Sequence, residues 1–388
     1  MCSLVLATVG FMLTAPPLAR GQIRPDPSAL AGASPELVER LRADPFAYFR
    51  FVNRPWTARV CEAFGDLQDL LLVRLHGDAH VEQFALTKDA WGLDDFDDSV
   101  RGPDFVDIVR FLGSIDLATR QRGWTRDRDA LWDRFFEGYR RGLSDPGYRP
   151  PEPDLVRVLR AQAPVTRAAY LAWAERLMQP MDEARLKSVV AAVQGLDLLV
   201  RRDRPSLAPG YFGVVRAGWV HLGIGSAGIR KVLIRVQGPT TDPDDDVLLE
   251  GKEVTNLEGV RCLEGRTTPP AIRVIDGALQ LGRLKHDILA VGPTMLIPAA
   301  ADRAEHWLDW WVCSWEPSYR EVHVSDLRSV KDLADIAFDS GVQLGAGKLV
   351  SVRKQLLASD KRLESRLRKE TSALVEELLA GWRELGGR

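Results

Sequence analysis

The chain is 388 residues long with 45% hydrophobic and 27% charged residues, which excludes a disordered polymer and leaves material for one large domain or two. Lys+Arg, at 52, nearly balances Asp+Glu, at 54, giving a formal charge of -2, so a nucleic-acid binder working through bulk positive charge is not expected. No apolar run reaches the ~20 residues of a membrane-spanning helix, so no integral span is expected.

Leu4 to Ala15 is an apolar run of secretory-leader length, and Ala19-Arg20-Gly21 then offers small residues where a signal peptidase reads. The first basic residue is Arg20, so the usual positive start of a leader is missing. Residues 1–22 are therefore either a cleaved leader, making the mature chain exported, or a buried first helix or misplaced start in a cytoplasmic one. Residues 23–34, rich in Pro, Ala, Gly and Ser, read as a linker, and Ser34-Pro35 as a capped helix start. Residues 36–51 keep helical spacing, with a break at Asp44-Pro45. Residues 69–75 (DLLLVRL) form a buried strand or helix end that runs into His76-Gly77-Asp78-Ala79-His80. Residues 91–98 predict a short strand entering an acidic turn, residues 106–118 a buried helix, and residues 126–142 and 153–202 several amphipathic helices. The period changes past Pro209. Residues 211–236 alternate as strands, 240–246 turn, and 247–254 predict the next strand. A helix over 271–284, strands over 294–298, 310–315 and 321–324, and helices over 333–350 and 356–385 complete an α+β layout.

Four cysteines, Cys2, Cys61, Cys262 and Cys313, form no CxxC pair, so a zinc site has no support, while a disulfide between two of the last three stays open. Chemistry concentrates elsewhere. Asp78 and Asp95 are seventeen positions apart, a distance that lets the chain fold back and bring both carboxylates together. Phosphoryl transfer needs such a pair, one carboxylate to accept a hydroxyl proton and one to help hold Mg²⁺ on the phosphates. The alternative is that Asp94-Asp95-Phe96-Asp97-Asp98 is a solvated turn. Gly223-Ile224-Gly225-Ser226-Ala227-Gly228 precedes a strand rather than a helix, which favours a phosphate-covering glycine loop between antiparallel strands over a dinucleotide fold. Lys252 ends the strand one hairpin further on. Only ten lysines stand against forty-two arginines, so a lysine in an apolar strand is conspicuous here.

His76-Gly77-Asp78-Ala79-His80 resembles the catalytic loop of aminoglycoside- and choline-kinase-like phosphotransferases, and Asp95-Phe96-Asp97 resembles their metal-binding segment. The blocks at 44–50, 76–80, 94–98 and 102–107, with the later glycine loop and Lys252-Glu253, resemble a bacterial family known as domain of unknown function 2252. In a standard kinase the glycine loop and lysine come first; here they come last. The resemblance therefore implies a circularly permuted, protein-kinase-like two-lobed fold. Residues 35–210 and 326–388 would form a helical lobe, residues 211–325 a β-rich nucleotide lobe, with ATP and Mg²⁺ between them.

Carried over, Asp78 would be the base toward an unidentified hydroxyl-bearing substrate, with His80 bracing its loop. Asp95, with Asp97 and Gln83, would hold the metal. Gly223, Gly225, Ser226 and Gly228 would cover the phosphates and Lys252 would bind them. His76 and Asp107 would support the loop. Gln83 stands where the family has asparagine, which lengthens a metal ligand by one methylene and keeps a nucleotide-binding, inactive pseudokinase-like module in view. The glutamate partner of Lys252 is open among Glu253, Glu258 and Asp276. A metal-dependent hydrolase built on His76-x-Asp78-x-His80 is a further reading, though it leaves the glycine loop and Lys252 without a role.

Overall fold

The computed structural model describes residues 22–387 apart from 68–70, 163–165, 204–210, 222, 225–229, 256, 265–268, 293, 298–305 and 358–360. The leader expectation for residues 1–22 lies almost wholly outside these residues, as do Gly225, Ser226 and Gly228.

The chain begins with helices α1 (Pro27–Ala31), α2 (Pro35–Ala43), α3 (Pro45–Phe51) and α4 (Asn53–Ala63). The side chain of Ser34 accepts from Leu37 N and that of Asp44 from Phe46 N, each followed by proline at the first helical position. The Asp44-Pro45 break is thus a cap that ends one helix and starts the next. Four short strands follow: β1 (Leu72–Leu75), β2 (Phe84–Leu86), β3 (Trp91–Leu93) and β4 (Val100–Pro103). β1 pairs with β4, and β2 with β3, both antiparallel. Helices α5 (Phe105–Arg122), α6 (Arg128–Ser144), α7 (Asp154–Ala161), α8 (Arg167–Leu177) and α9 (Glu183–Asp203) come next.

The β-rich part holds β5 (Val214–Trp219), β6 (Lys231–Val236), β7 (Val247–Glu253), helix α10 (Ile272–Leu281), β8 (Leu289–Val291), β9 (Met295–Ile297), β10 (His306–Leu308), β11 (Trp310–Ser314) and β12 (Arg320–Glu321). Five of these strands form one antiparallel sheet in the order β5-β6-β7-β11-β8. Helices α11 (Val330–Ala346), α12 (Val350–Leu357) and α13 (Lys361–Glu384) close the chain. The mixed helix-and-sheet class follows the sequence reading.

Two packing results differ from the sequence division. Helices α8 and α9 cover the sheet rather than joining the earlier helices: Leu171 and Ala174 pack with Leu233 and Leu248, and Val189, Val193 and Leu196 with Ile234, Leu249 and Trp310. The strand expected at 321–324 is reduced to β12, which pairs with β2 instead of turning back on β11. The final helix α13 packs on the first helices, burying Leu374, Val375 and Leu378 in the same core as Phe49, Trp56 and Leu112.

Helix α11 crosses α6 almost backbone to backbone. A Cβ on Gly138 would lie 2.0 Å from Phe338 O, and one on Gly345 2.3 Å from Tyr139 O. That close approach sets α11 where its Gln343 side chain takes Leu93 N (2.7 Å) and gives to Leu93 O (2.9 Å), while Asp339 accepts from Trp91 Nε1 (2.7 Å). Strand β3, which feeds the acidic loop, is therefore clamped along its length. A disulfide joins Cys61 of α4 to Cys262, while Cys313 is a buried free thiol.

Candidate functional site

The β2–β3 hairpin is what folds the chain back between the two polar loops. His76–His80 precedes it, Asp94–Asp98 leaves it, and the loops touch. His76 Nε2 sits 2.9 Å from Asp94 O, and Asn53 Nδ2 donates both to Gly77 O (3.1 Å) and to Asp98 Oδ2 (2.8 Å). Gly77 has φ +87°, and a Cβ there would fall 1.9 Å from Asp98 O, so only glycine lets the loops meet. The carboxylate of Asp107, in the first turn of α5, accepts from the backbone N–H groups of His76 (2.7 Å) and Gly77 (2.9 Å). The ring of Phe96 lies 4.7 Å from that of His76, and Phe96 shares a small core with Val274 and Trp311.

Asp78 is turned inward. It is 6% exposed, and its Oδ1 accepts from Arg110 Nε (2.8 Å) and lies 2.7 Å from Arg110 Nη2. Its other oxygen is 3.6 Å from His80 Nε2 and 3.5 Å from Gln83 Nε2. Burial pushes its pKa up, but Arg110 and His80 outweigh that and hold it at about 2. His80 is fully buried between the rings of Phe46 and Phe49, and burial lowers its pKa to about 4 despite the neighbouring Asp78. Gln83, expected as a metal ligand, faces Asp78 instead. Nor do His76 and His80 form a ligand pair: one ring meets a backbone carbonyl, the other two phenyl rings.

Asp95 and Asp97 meet Lys252. The ammonium is 3.1 Å from Asp95 Oδ1 and 3.3 Å from Asp97 Oδ2, across 157 and 155 residues of chain. It lies 3.7 Å from Glu250 Oε2 and 5.1 Å from the centre of the Trp311 ring. Lys252 is 7% exposed; burial lowers its pKa, but Asp95, Asp97 and Glu250 together raise it well above normal. Burial would raise the Asp95 pKa too, yet Lys252 and Lys231 bring it below the usual carboxylate range. Asp97 goes the other way, pushed up by burial and by the Asp95 charge. Asp95 holds a left-handed backbone (φ 61°), uncommon for a residue with a side chain. Its side chain is 27% exposed.

Sequence reasoning missed four groups here. Lys231 stands directly opposite Lys252 in the β6–β7 register, so two of the chain's ten lysines meet at the acidic pair. Glu250, two positions before Lys252 and so on the same face of β7, is the nearby glutamate; that i, i+2 relation was available in the sequence. Of the partners considered there, Glu253 accepts from Arg230 N and Asp276 pairs with Arg74, while Glu258 is exposed. Arg273, 2% exposed, donates to Asp97 O and Ser99 O (both 2.7 Å) and to Thr255 O (2.6 Å), tying the acidic loop to the end of β7. Arg110 is the fourth. Of the glycine loop, Gly223 has φ +87° and Ile224 packs against Leu41 and Ala47.

Two carboxylates with one buried oxygen, Asp97 Oδ1, that has no hydrogen-bond partner among the described residues suit a hard cation. No group of three or more His, Cys, Asp or Glu among the described residues is placed to hold a metal by itself. Magnesium commonly binds through one or two carboxylates and completes its shell with phosphate and water, so the pair fits that ion when phosphate is supplied with it.

Residues 32–158 match the family model DUF2252, described as an uncharacterized protein conserved in bacteria. The match contains Asp78, Asp95 and Asp97 and stops before the sheet and Lys252. No curated protein and no solved structure matches the chain. No helix among the described residues is long and apolar enough to cross a membrane.

Proposed function

We propose that this protein binds ATP with Mg²⁺ and transfers phosphate to a hydroxyl, on a protein-kinase-like fold whose lobes are permuted in sequence. The observation that carries the reading is the Lys252 ammonium within 3.3 Å of both Asp95 and Asp97. Surrounding features support it. The glycine segment lies between the first two strands of the five-stranded sheet, the lysine is on the third, and a helix follows that strand, as in kinases. The polar loop, hairpin and acidic loop likewise succeed one another as a catalytic loop and metal loop do. Phosphoryl transfer asks a protein mainly for placement and charge. Lys231 and Lys252 would meet the phosphate oxygens, Asp95 and Asp97 the cation, which when bound neutralises developing phosphate charge. Arg273 keeps the acidic loop at the lysine strand.

One observation favours a second reading, nucleotide binding without transfer. Asp78 is sealed against Arg110, and a carboxylate with a pKa of about 2 is a weak base. Incubation of purified protein with γ-labelled ATP and Mg²⁺ separates the two. Transfer to an acceptor, to water or to the protein itself that is lost in Asp95→Asn and Lys252→Met supports the enzyme. Magnesium-dependent ATP binding with no release or transfer of label supports the binding module. Transfer that persists at wild-type rate in both variants rejects the site.

A further inference from the structure

Helix α8 carries aromatic side chains that the phosphate reading does not use. Tyr170 and Trp173, one turn apart on that helix, have ring centres 5.9 Å apart, and Trp173 lies 6.0 Å from Trp315, just past the end of β11. Tyr170 and Trp315 pack into the small core that α8 forms with Leu233 and Leu248, whereas Trp173 is 43% exposed. The Trp315 indole is fixed from the sheet side, because its Nε1 donates to Glu250 Oε2 (2.9 Å). A single exposed apolar side chain is ordinary. A tryptophan held against a second, hydrogen-bonded tryptophan is a firm flat surface.

The sheet sets this surface in line with the phosphate site. Side chains alternate along a strand, so Leu248, Glu250 and Lys252 of β7 share one face. Opposite them stand Arg235, Leu233 and Lys231 of β6 on one side. On the other side stand Cys313 and Trp311 of β11, opposite Glu250 and Lys252, and Trp315 N donates to Leu248 O (2.9 Å). One face therefore runs from the row Lys231, Lys252 and Trp311, through Leu233, Glu250 and Cys313, to Leu248 and Trp315, where α8 lies on it. Four strand residues separate Lys252 from Leu248, about 13 Å. An extended nucleoside triphosphate spans such a length between its outer phosphates and its base. Charge gives the direction. Two lysines stand at one end. At the other, Glu250 holds Trp315 and the next residue, Glu316, is exposed, which disfavours phosphate there and leaves a neutral ring unaffected.

We infer that Trp173 is the platform on which the base of the nucleotide stacks, with Trp315 holding its indole in place. The inference rests on the nucleotide-binding reading and adds to it the residue that distinguishes a nucleotide from a bare polyphosphate.

Calorimetric titration of ATP and, separately, of tripolyphosphate, each with Mg²⁺, into the full-length protein tests this. In the wild type ATP binds more tightly than tripolyphosphate. Trp173→Ala weakens ATP at least about fivefold, the loss of one base–aromatic stack, and leaves tripolyphosphate unchanged. Trp173→Phe, which keeps a ring, recovers part of the ATP affinity. Unchanged tripolyphosphate binding also shows that the variant is folded at the phosphate site. ATP affinity equal in wild type and Trp173→Ala overturns the inference and leaves the phosphate site standing, as does tripolyphosphate binding as tightly as ATP in the wild type. Equal weakening of both ligands assigns Trp173 a structural role and likewise overturns it. Binding of neither ligand by the wild type removes the nucleotide reading itself, and the platform with it.

Discussion

Replacing Asp78 with alanine removes the carboxylate that receives Arg110 at 2.8 and 2.7 Å. Arg110 is 1% exposed and stacked 3.5 Å over the Phe49 ring, so it cannot turn out to water. Its Nη2 keeps the carbonyl of Phe49 (3.0 Å), and its Nη1 already has no partner among the described residues. Two charge-assisted hydrogen bonds at about 1.5–3 kcal/mol each are lost. The total agrees with the ~3–5 kcal/mol expected when one half of a buried ion pair is deleted. Asp78→Asn keeps an acceptor and should cost about half as much. Asp78→Ala combined with Arg110→Met should recover much of the loss, because the stranded charge is gone. Urea unfolding followed by tryptophan fluorescence reads these differences as shifts in midpoint at constant slope. A loss below about 1 kcal/mol for Asp78→Ala would refute the claim that this pair is a sealed structural element. The outcome also governs how activity data are read, since an Asp78 variant that is inactive and half unfolded reveals nothing about a catalytic base.

Other expectations follow from the same geometry. The Cys61–Cys262 bond closes a loop of 201 residues, for which chain entropy alone gives about 5 kcal/mol as an upper figure; Cys61→Ser with Cys262→Ser should lower stability toward that amount, and alkylation in denaturant without reductant should mark Cys313 but neither partner. Burial depresses the folded-state pKa of His80 from 6.5 to about 4, so the unfolded chain takes up the proton first as pH falls. Stability from this residue is therefore complete above pH 6.5 and declines toward pH 4 by on the order of 3 kcal/mol, a slope that His80→Leu should flatten in pH-dependent melting.

The two loops stood out in the sequence because each is a polar knot at the end of an apolar run; a solvated turn was the alternative for the second, and its contacts with His76 and Lys252 rule that out. The hairpin that unites them was half visible: Trp91–Leu93 was anticipated, whereas Phe84-Ala85-Leu86 is too short to show a period. Lys252 was conspicuous through the rarity of lysine, and that same reasoning applied to Lys231 with equal force. Arg110 and Arg273 were hidden for the opposite reason, as two arginines among forty-two, whose partners in the two polar loops lie 32 and more than 170 positions away. Amphipathic spacing showed that α8 and α9 bury one face but not what covers it, so their place on the sheet had to come from packing. The inward turn of Asp78 was likewise invisible, since a motif names the residue and leaves the side chain's direction to its neighbours.

Phosphoryl transfer at this site requires a nucleotide phosphate to enter between Lys252 and the Asp95–Asp97 pair. Calorimetric titration of ATP in the presence and absence of Mg²⁺, on the wild type and on Lys252→Met and Asp95→Asn, addresses this most directly. Magnesium-dependent binding in the wild type, weakened at least tenfold in both folded variants, is the predicted result. Absence of binding in the wild type, or equal affinity in all three proteins, would contradict it.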